Sequence, residues 1–430
     1  MDAPAGHTLS RATRQRQWIL VALLVTAGVV NYLDRSTLAI ANHDISSEMR
    51  LSPGQMGLLL SAFAWAYSAA QLPAGLLTDR LGARIVLAGA MTVWSSAQMI
   101  CGGVSTFGQF IVARVGLGLG ESPLFTSGAR ATVDWFPIRD RGVPLGLFNS
   151  ASSLGPALAP PLLTALMLAF GWRSMFVAMG AAGLLVALAW WLYYRDPTET
   201  LVSADDIAAI QAGDFASEAK AGPAIWKAFF LIPSTWALIG GQFGTVYVTW
   251  LYVAWLPDYL ESVRHVSVAQ TGVFAAIPQF AGFVGGVIGG FLSDGLAHRK
   301  LDPVLSRKIP AATGLAIAAL LTALAPLSSN TGVVLAVMSG AMFFAYGSGS
   351  CSWALGATLT PPRFVATLES IQNVGGSFGG ALAPLVTGLV VQFTHGFGPA
   401  FALAASASLA GAVSLWLVRA DAYEGIGEPV

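Results

Sequence analysis

Four charged side chains stand inside stretches that are otherwise apolar: Asp34 and Arg35 in the run 18–40, and Arg114 and Glu121 in the run 108–130. A charge among apolar neighbours is costly unless it is paired or faces a polar cavity, so these four mark either a pathway or a packing cluster. Asp34 and Arg35 are consecutive and project about 100° apart on a helix, so they cannot form a same-face pair. Each must find a partner elsewhere, one of them toward the run 108–130. Arg114 and Glu121 are seven apart, on one face and about 10 Å apart along the axis. The plain reading is a buried salt-bridge cluster that only fixes packing, although such pairs add little net stability. The chemical reading gives the two carboxylates to proton carriage. An acid caught between burial and a nearby arginine titrates as that arginine is taken or released.

Uncharged polar groups gather at similar depth: Asn31, Tyr32, Tyr67, Gln71, Ser122, Thr126, Asn149, Ser152, Gln242, Ser352, Gln372 and Asn373. Singly, each serves helix–helix hydrogen bonding. Together they offer the donors and acceptors that a polyhydroxylated anion requires. Trp65, Trp250 and Trp353 would equally wall an aromatic acid.

The elements that hold these residues follow from composition. Hydrophobic residues make up 55% of the 430 and charged residues 10%, where a soluble domain carries roughly 25% charged. The solvent for most of this surface is therefore lipid, and long apolar runs without alternation select helices over a barrel. Twelve spans are expected, near 18–40, 56–77, 84–104, 108–130, 143–169, 174–194, 236–259, 269–293, 309–327, 331–355, 366–393 and 399–418. The one long polar gap begins at Arg195 and carries Asp205, Asp206, Asp214 and Glu218; Trp226–Leu231 after it reads as a short interfacial helix. With both termini cytoplasmic, 17 Lys and Arg fall inside and only Arg50, Arg173 and Arg264 outside, as the positive-inside rule demands. No cleavable signal is expected, because the first apolar run is long enough to remain as a span.

Other classes are disfavoured. The net charge of zero gives no reason to expect a nucleic-acid partner. Cys101 and Cys351 lie in apolar segments, and His7, His43, His265, His298 and His395 lie in loops or tails without metal-ligand spacing. A membrane enzyme, a metal and a cofactor are therefore not expected. A nutrient sensor would need a signalling tail, and only about a dozen residues follow the last span.

The chain repeats. Asn149-Ser-Ala-Ser-Ser-Leu-Gly-Pro-Ala-Leu-Ala-Pro160 and Asn373-Val-Gly-Gly-Ser-Phe-Gly-Gly-Ala-Leu-Ala-Pro384 share seven of twelve residues at an offset of 224, which Pro137 and Pro361 keep. Gly75-Leu-Leu-Thr-Asp79 matches Gly290-Phe-Leu-Ser-Asp294 at an offset of 215. The expected fold is an all-α membrane protein of twelve helices, in two six-helix bundles related by a pseudo-two-fold axis. Its domains are a cytoplasmic tail (1–17), a first bundle (18–194), a cytoplasmic linker with an interfacial helix (195–235), a second bundle (236–418) and a cytoplasmic tail (419–430). Two similar bundles can rock about a central site. Gly116, Gly120, Gly146, Gly155 and the pairs Gly375-Gly376 and Gly379-Gly380 supply smooth seams for it.

Gly75-Leu-Leu-Thr-Asp-Arg-Leu-Gly-Ala-Arg84 resembles the signature loop between helices two and three of the major facilitator superfamily. Asn31-Tyr-Leu-Asp-Arg35, Arg114 with Glu121, Trp135-Phe-Pro137 and Trp255-Leu-Pro-Asp-Tyr-Leu260 are similar to its anion:cation symporter branch, which includes bacterial proton symporters for galactonate, glucarate and hexuronates. The second copy departs from the loop pattern, with Gly295-Leu-Ala-His-Arg299 in place of the Arg-x-Gly element. The resemblance implies a monomeric transporter in the bacterial inner membrane, taking up a small organic anion such as a sugar acid with protons by alternating access. An organic-anion exchanger, or a symporter of an aromatic or other carboxylate, is the alternative; exchange needs no titrating carboxylates. It implies Asp34 and Glu121 as protonation sites and Arg35 as the substrate-carboxylate contact. Arg114 becomes a partner of the acids, and Tyr32, Tyr67, Ser152, Ser352 and Asn373 further substrate contacts. Asp79, with Arg80 and Arg84, becomes a cytoplasmic latch, Arg130 or Arg141 its charge partner, and Asp294 its echo. Anion binding at Arg35 is expected to release Asp34 from an arginine pairing so that it can protonate.

Overall fold

The computed structural model of the protein describes residues 9–137, 140–200, 202–211, 223–298, 301–360 and 364–423. Arg139, Lys220, Arg299, Lys300, Pro361 and Arg363 lie outside them. Every regular element among the described residues is helical. In chain order these are α1 (Arg11–Ile40), α2 (Asn42–Met49), α3 (Pro53–Gly103), α4 (Phe107–Glu121), α5 (Leu124–Trp135), α6 (Gly142–Tyr193), α7 (Ala204–Gln211) and α8 (Pro223–Phe230). There follow α9 (Pro233–Ser262), α10 (Val268–Phe274), α11 (Ala276–His298), α12 (Pro303–Leu324), α13 (Thr331–Leu359), α14 (Val365–Thr394) and α15 (Gly398–Trp416).

Each of the twelve expected spans falls on helix, and among the described residues eight helical stretches are long and apolar enough to cross a membrane. Two very long helices each contain two spans. α3 breaks at Gly82 (φ 79°, ψ 158°) and α6 at Gly171 (φ 78°, ψ 162°). That backbone region is essentially closed to residues with a Cβ, so glycine makes both breaks.

Two expected spans are discontinuous. The span at 108–130 is two helices, α4 and α5, separated at Ser122-Pro123. Pro123 has no N–H for the carbonyl of Leu119, and the Ser122 hydroxyl donates to that carbonyl instead at 3.0 Å. The span at 269–293 is likewise divided into α10 and α11, where Pro278 can offer no N–H to the carbonyl of Phe274.

The repeat reaches further than sequence comparison alone suggested. Arg50 and His265, 215 residues apart, are both left-handed, at φ 53° and 54°. Each precedes a Ser-x-x-Gln-x-Gly, at Ser52–Gly57 and Ser267–Gly272. Ser52 Oγ accepts from Gln55 N at 3.2 Å and Ser267 Oγ from Gln270 N at 3.4 Å, so one helix-starting cap serves both halves.

Contacts divide the chain into two compact units, Met1–Leu38 with Trp65–Ala159 and Ala165–Glu218, and Ala39–Ala64 with Pro160–Thr164 and Ala219–Val430. In the first, Trp94, Phe110, Phe148, Phe176 and Trp190 are fully buried. Gly120 packs against the Trp94 backbone and Gly116 against Ala97, whereas Gly146 meets nothing within 4 Å. In the second, Phe229 of α8 packs with Leu238, Leu315, Leu355, Ile371 and Tyr423. Gly375 and Gly379 bring α14 onto the α9 backbone at Ile239 and Phe243.

Candidate functional site

The first unit gathers Asp34, Arg35, Arg114 and Glu121 where α1 meets α4. On α1, Asn31 and Asp34 are three apart and fully buried, and the next face carries Tyr32 and Arg35. Arg35 does not pair with its neighbour Asp34. Its Nε donates to Glu121 Oε2 at 2.7 Å, with 8% and 0% of the two side chains exposed. The guanidinium carbon lies 4.8 Å from the Tyr32 ring centre and 4.7 Å from that of Tyr67, within cation–π range of both. Arg35 is thus held by one carboxylate and two aromatic faces. The carboxylate on Arg35 is therefore that of Glu121, and the arginine that acts on Asp34 is Arg114.

The breaks and seams explain the geometry. Glu121 is the last residue of α4, directly before the break at Pro123, so its side chain leaves the helix where regular packing stops. Gly155 of α6 lies on Tyr32, where any Cβ would collide with that of tyrosine, and Gly28 of α1 faces Ala151. Close approach of α1 and α6 sets the Tyr32 ring. Ser152 of α6 is half-buried and donates to Asn149 O at 2.8 Å.

Asp34 is fully buried, and neither of its carboxylate oxygens has a hydrogen-bond partner among the described residues. The charged groups that act on it are Glu121 and Arg114; Arg114 is 1% exposed. Two polar residues absent from the sequence reading support this aspartate. Thr37 Oγ1 donates to Asp34 O at 2.7 Å and accepts from Gln98 Nε2 at 2.9 Å, with both side chains fully buried. The signal was available: Gln98 is an amide in the middle of an apolar span.

The second unit holds Ser352 and Asn373. Ser352 is fully buried, its hydroxyl accepting from Gln372 Nε2 at 3.0 Å. Asn373 is half-buried beside Gly376.

Just before the break at Gly82, Asp79 and Arg80 are exposed. Arg84 stacks on Trp191 at 4.3 Å, and its carbonyl accepts from Trp190 Nε1 at 3.3 Å, tying α3 to the end of α6. Arg130 is bound to Asp134 at 2.9 Å and feels Asp79 at longer range. Arg141 caps α5, donating to Phe136 O at 2.9 Å and Val133 O at 3.1 Å. Asp294 is bonded to Arg307 at 3.2 Å. Among the described residues no three His, Cys, Asp or Glu side chains are placed to hold a metal.

The comparisons with known proteins agree with this architecture. The family model described as Major Facilitator Superfamily matches residues 24–368. The chain is 37% identical over 425 residues to the probable L-galactonate transporter of Escherichia coli K12, covering 97% of this chain and 93% of that one. It is 33% identical over 422 residues to the probable galactarate/D-glucarate transporter GarP of the same strain, covering 94% of each. With the hexuronate transporter of Bacillus subtilis 168 it shares 31% over 404 residues, covering 93% of each. Among solved structures it resembles a bacterial homologue of the human lysosomal transporter Spinster, with a TM-score of 0.72 at 21% identity over 94% of this chain and 95% of that one. Family model, relatives and fold converge: the chain belongs to the major facilitator superfamily, a family of membrane transporters, not enzymes.

Proposed function

We propose that this protein takes up a sugar acid of the galactonate, glucarate or hexuronate class together with protons, by alternating access of two six-helix halves (18–194 and 236–418) joined by the linker 195–235. The proposed setting is the bacterial inner membrane, with the protein a monomer and both termini cytoplasmic; the distribution of Lys and Arg supports that orientation. The names of the relatives support the substrate class.

The observation that carries the coupling is the Arg35–Glu121 bond between two tyrosine faces. A sugar-acid carboxylate competes with Glu121 for the Arg35 fork. Once displaced, Glu121 is a buried carboxylate that has lost its bonded cation, with only Arg114 at longer range, and takes up a proton instead of remaining charged. Asp34, acted on by Arg114 and Glu121, is the second proton carrier. Two protons with a monoanion move one net positive charge, and each 100 mV then adds about 2.3 kcal/mol of driving force. Tyr32, Tyr67 and Ser152 are the contacts proposed for the sugar acid in the first half, Ser352 and Asn373 those in the second. Asp79, Arg80, Arg84, Arg141 and Asp294 are proposed to govern closure on the cytoplasmic side.

The test is uptake of sugar acids into proteoliposomes, with and without a pH gradient, for wild type and Glu121→Gln. The expected result is that Glu121→Gln loses proton-driven accumulation but keeps part of its counterflow exchange. Accumulation against a gradient by Glu121→Gln would make Glu121 a packing residue and end the two-site scheme. Uptake of aromatic acids in place of sugar acids would overturn the substrate class.

A further inference from the structure

A groove of about 570 Å³ opens at the N-terminal end of α1, between that helix and the ends of α5 and α6. All of it lies within the first unit. Its floor is closed. Leu20, Trp135 and Tyr194 are buried, and Trp135 Nε1 donates to Arg195 O at 3.1 Å. Its α1 wall is pinned, because Asp206 of α7 accepts from Thr13 Oγ1 at 2.8 Å and from Ser10 N at 3.2 Å, with Thr13 and Asp206 both buried. The helix therefore keeps its geometry beyond the apolar span.

The lining changes character along its length. Toward the middle of the span it is apolar, with Leu23, Ile19 and Leu192, the last two 38% and 58% exposed. Toward the chain end stand two guanidiniums, Arg16 and Arg195. Arg195 is fixed through Nη1, which donates to Trp191 O at 2.6 Å and Tyr194 O at 2.8 Å, leaving its other nitrogens for a ligand. Arg16 is exposed and makes no hydrogen bond or ion pair among the described residues. Arg11 and Arg14 on the same turns are also exposed and add positive charge. Glu199 lines the mouth and opposes it, which leaves the lining with one net positive charge. Trp and Tyr at this depth belong to the membrane–water boundary.

We propose that the groove binds an anionic phospholipid from the leaflet on the N-terminal side, Arg16 and Arg195 taking the phosphate and an acyl chain lying along Ile19, Leu23 and Leu192. Cations at headgroup depth above an apolar strip match the amphiphile in both halves, whereas a soluble anion would leave that strip unused. The site is independent of the transported substrate and of proton coupling. Through Trp135 and the pinned start of α1 it touches the helix that carries Asp34 and Arg35.

Native mass spectrometry of the full chain, released from neutral detergent after mixing with chain-matched phosphatidylglycerol, phosphatidylcholine or phosphatidylethanolamine, tests this. Phosphatidylglycerol should be retained roughly tenfold better than phosphatidylcholine, as expected for two arginines at headgroup depth. Arg16→Glu, at an exposed position, should abolish the preference without changing the lipid-free melting temperature, and Glu199→Gln should increase it. Equal retention of phosphatidylcholine, or an unchanged preference in Arg16→Glu, would overturn the proposal. So would a preference for phosphatidylethanolamine that Glu199→Gln removes. Displacement of phosphatidylglycerol by inorganic phosphate would assign the arginines to a soluble anion instead.

Discussion

Arg35 combines a directed hydrogen bond with two aromatic contacts, which a point charge does not reproduce. Its Nε is on Glu121, and its guanidinium carbon lies within cation–π range of both the Tyr32 and Tyr67 rings. Lysine at this position keeps the charge but loses the fork and the stacking. Arg35→Lys should therefore weaken sugar-acid binding by about 1.5–3 kcal/mol, the worth of a charged hydrogen bond. Ligand-dependent thermal shift on purified protein reads this directly, and undiminished stabilisation would remove Arg35 from the binding site. A second prediction concerns a carboxylate past the C-terminal end of the seventh span. Burial raises Glu261 to about 7 from 4.5, and the nearby Asp44 and Asp258 push it the same way. Asp258 in turn lies 3.9 Å from His43. An acid whose pKa is raised by folding favours the folded state at low pH and loses that contribution as pH rises through the folded value. The apparent melting temperature should fall between pH 4.5 and about 7, and Glu261→Gln should flatten the slope. An unaltered slope in that variant would place the titration elsewhere.

At the scale of the helices, single residues decide where continuous rods become separate spans. Gly82→Ala forces a Cβ into φ 79°, ψ 158° and should cost about 1–3 kcal/mol, visible as a lower melting temperature in detergent. Gly75→Ala, which meets nothing within 4 Å in a helical backbone, is the control. It should leave stability unchanged or raise it by up to about 1 kcal/mol. Equal effects from the two would mean that the break does not depend on glycine. The helices themselves were legible because lipid demands long apolar runs; the roughly 100° between Asp34 and Arg35 required partners on other helices, and the charges at 114 and 121 made α4 the candidate. The divisions of α4 from α5 and α10 from α11 were not. Pro123 and Pro278 are visible in the sequence, but an intramembrane proline kinks or divides a helix according to what satisfies the freed carbonyl. Here Ser122 does so at the first. The Thr37–Gln98 bond was hidden for a different reason: it joins spans one and three, and no spacing within either span reports it.

For the molecule as a whole, the repeated Gly-x-x-x-Asp at 75–79 and 290–294 places one acid at equivalent positions in the two halves. Asp294 is bonded to Arg307, whereas Asp79 is exposed and Arg130, which feels it at longer range, is bonded to Asp134. If Asp79 closes the cytoplasmic side, Asp79→Asn should shift the population toward inward-facing states. Cysteines at span ends should then label faster from inside and more slowly from outside. Unchanged labelling from both sides would limit Asp79 to insertion and topology. The twin breaks at Gly82 and Gly171 bear on insertion in another way. They have nearly the same dihedrals and occupy the same place in successive groups of three expected spans; three expected spans separate them, so the proposed topology puts the two turns on opposite faces of the bilayer. The turn itself is indifferent to the side on which it is made. What differs is the cargo beside it, Arg80 and Arg84 at one and Arg173 alone at the other. Under the positive-inside rule, a hinge of common shape flanked by unequal numbers of arginines would be oriented by that charge and not by its geometry.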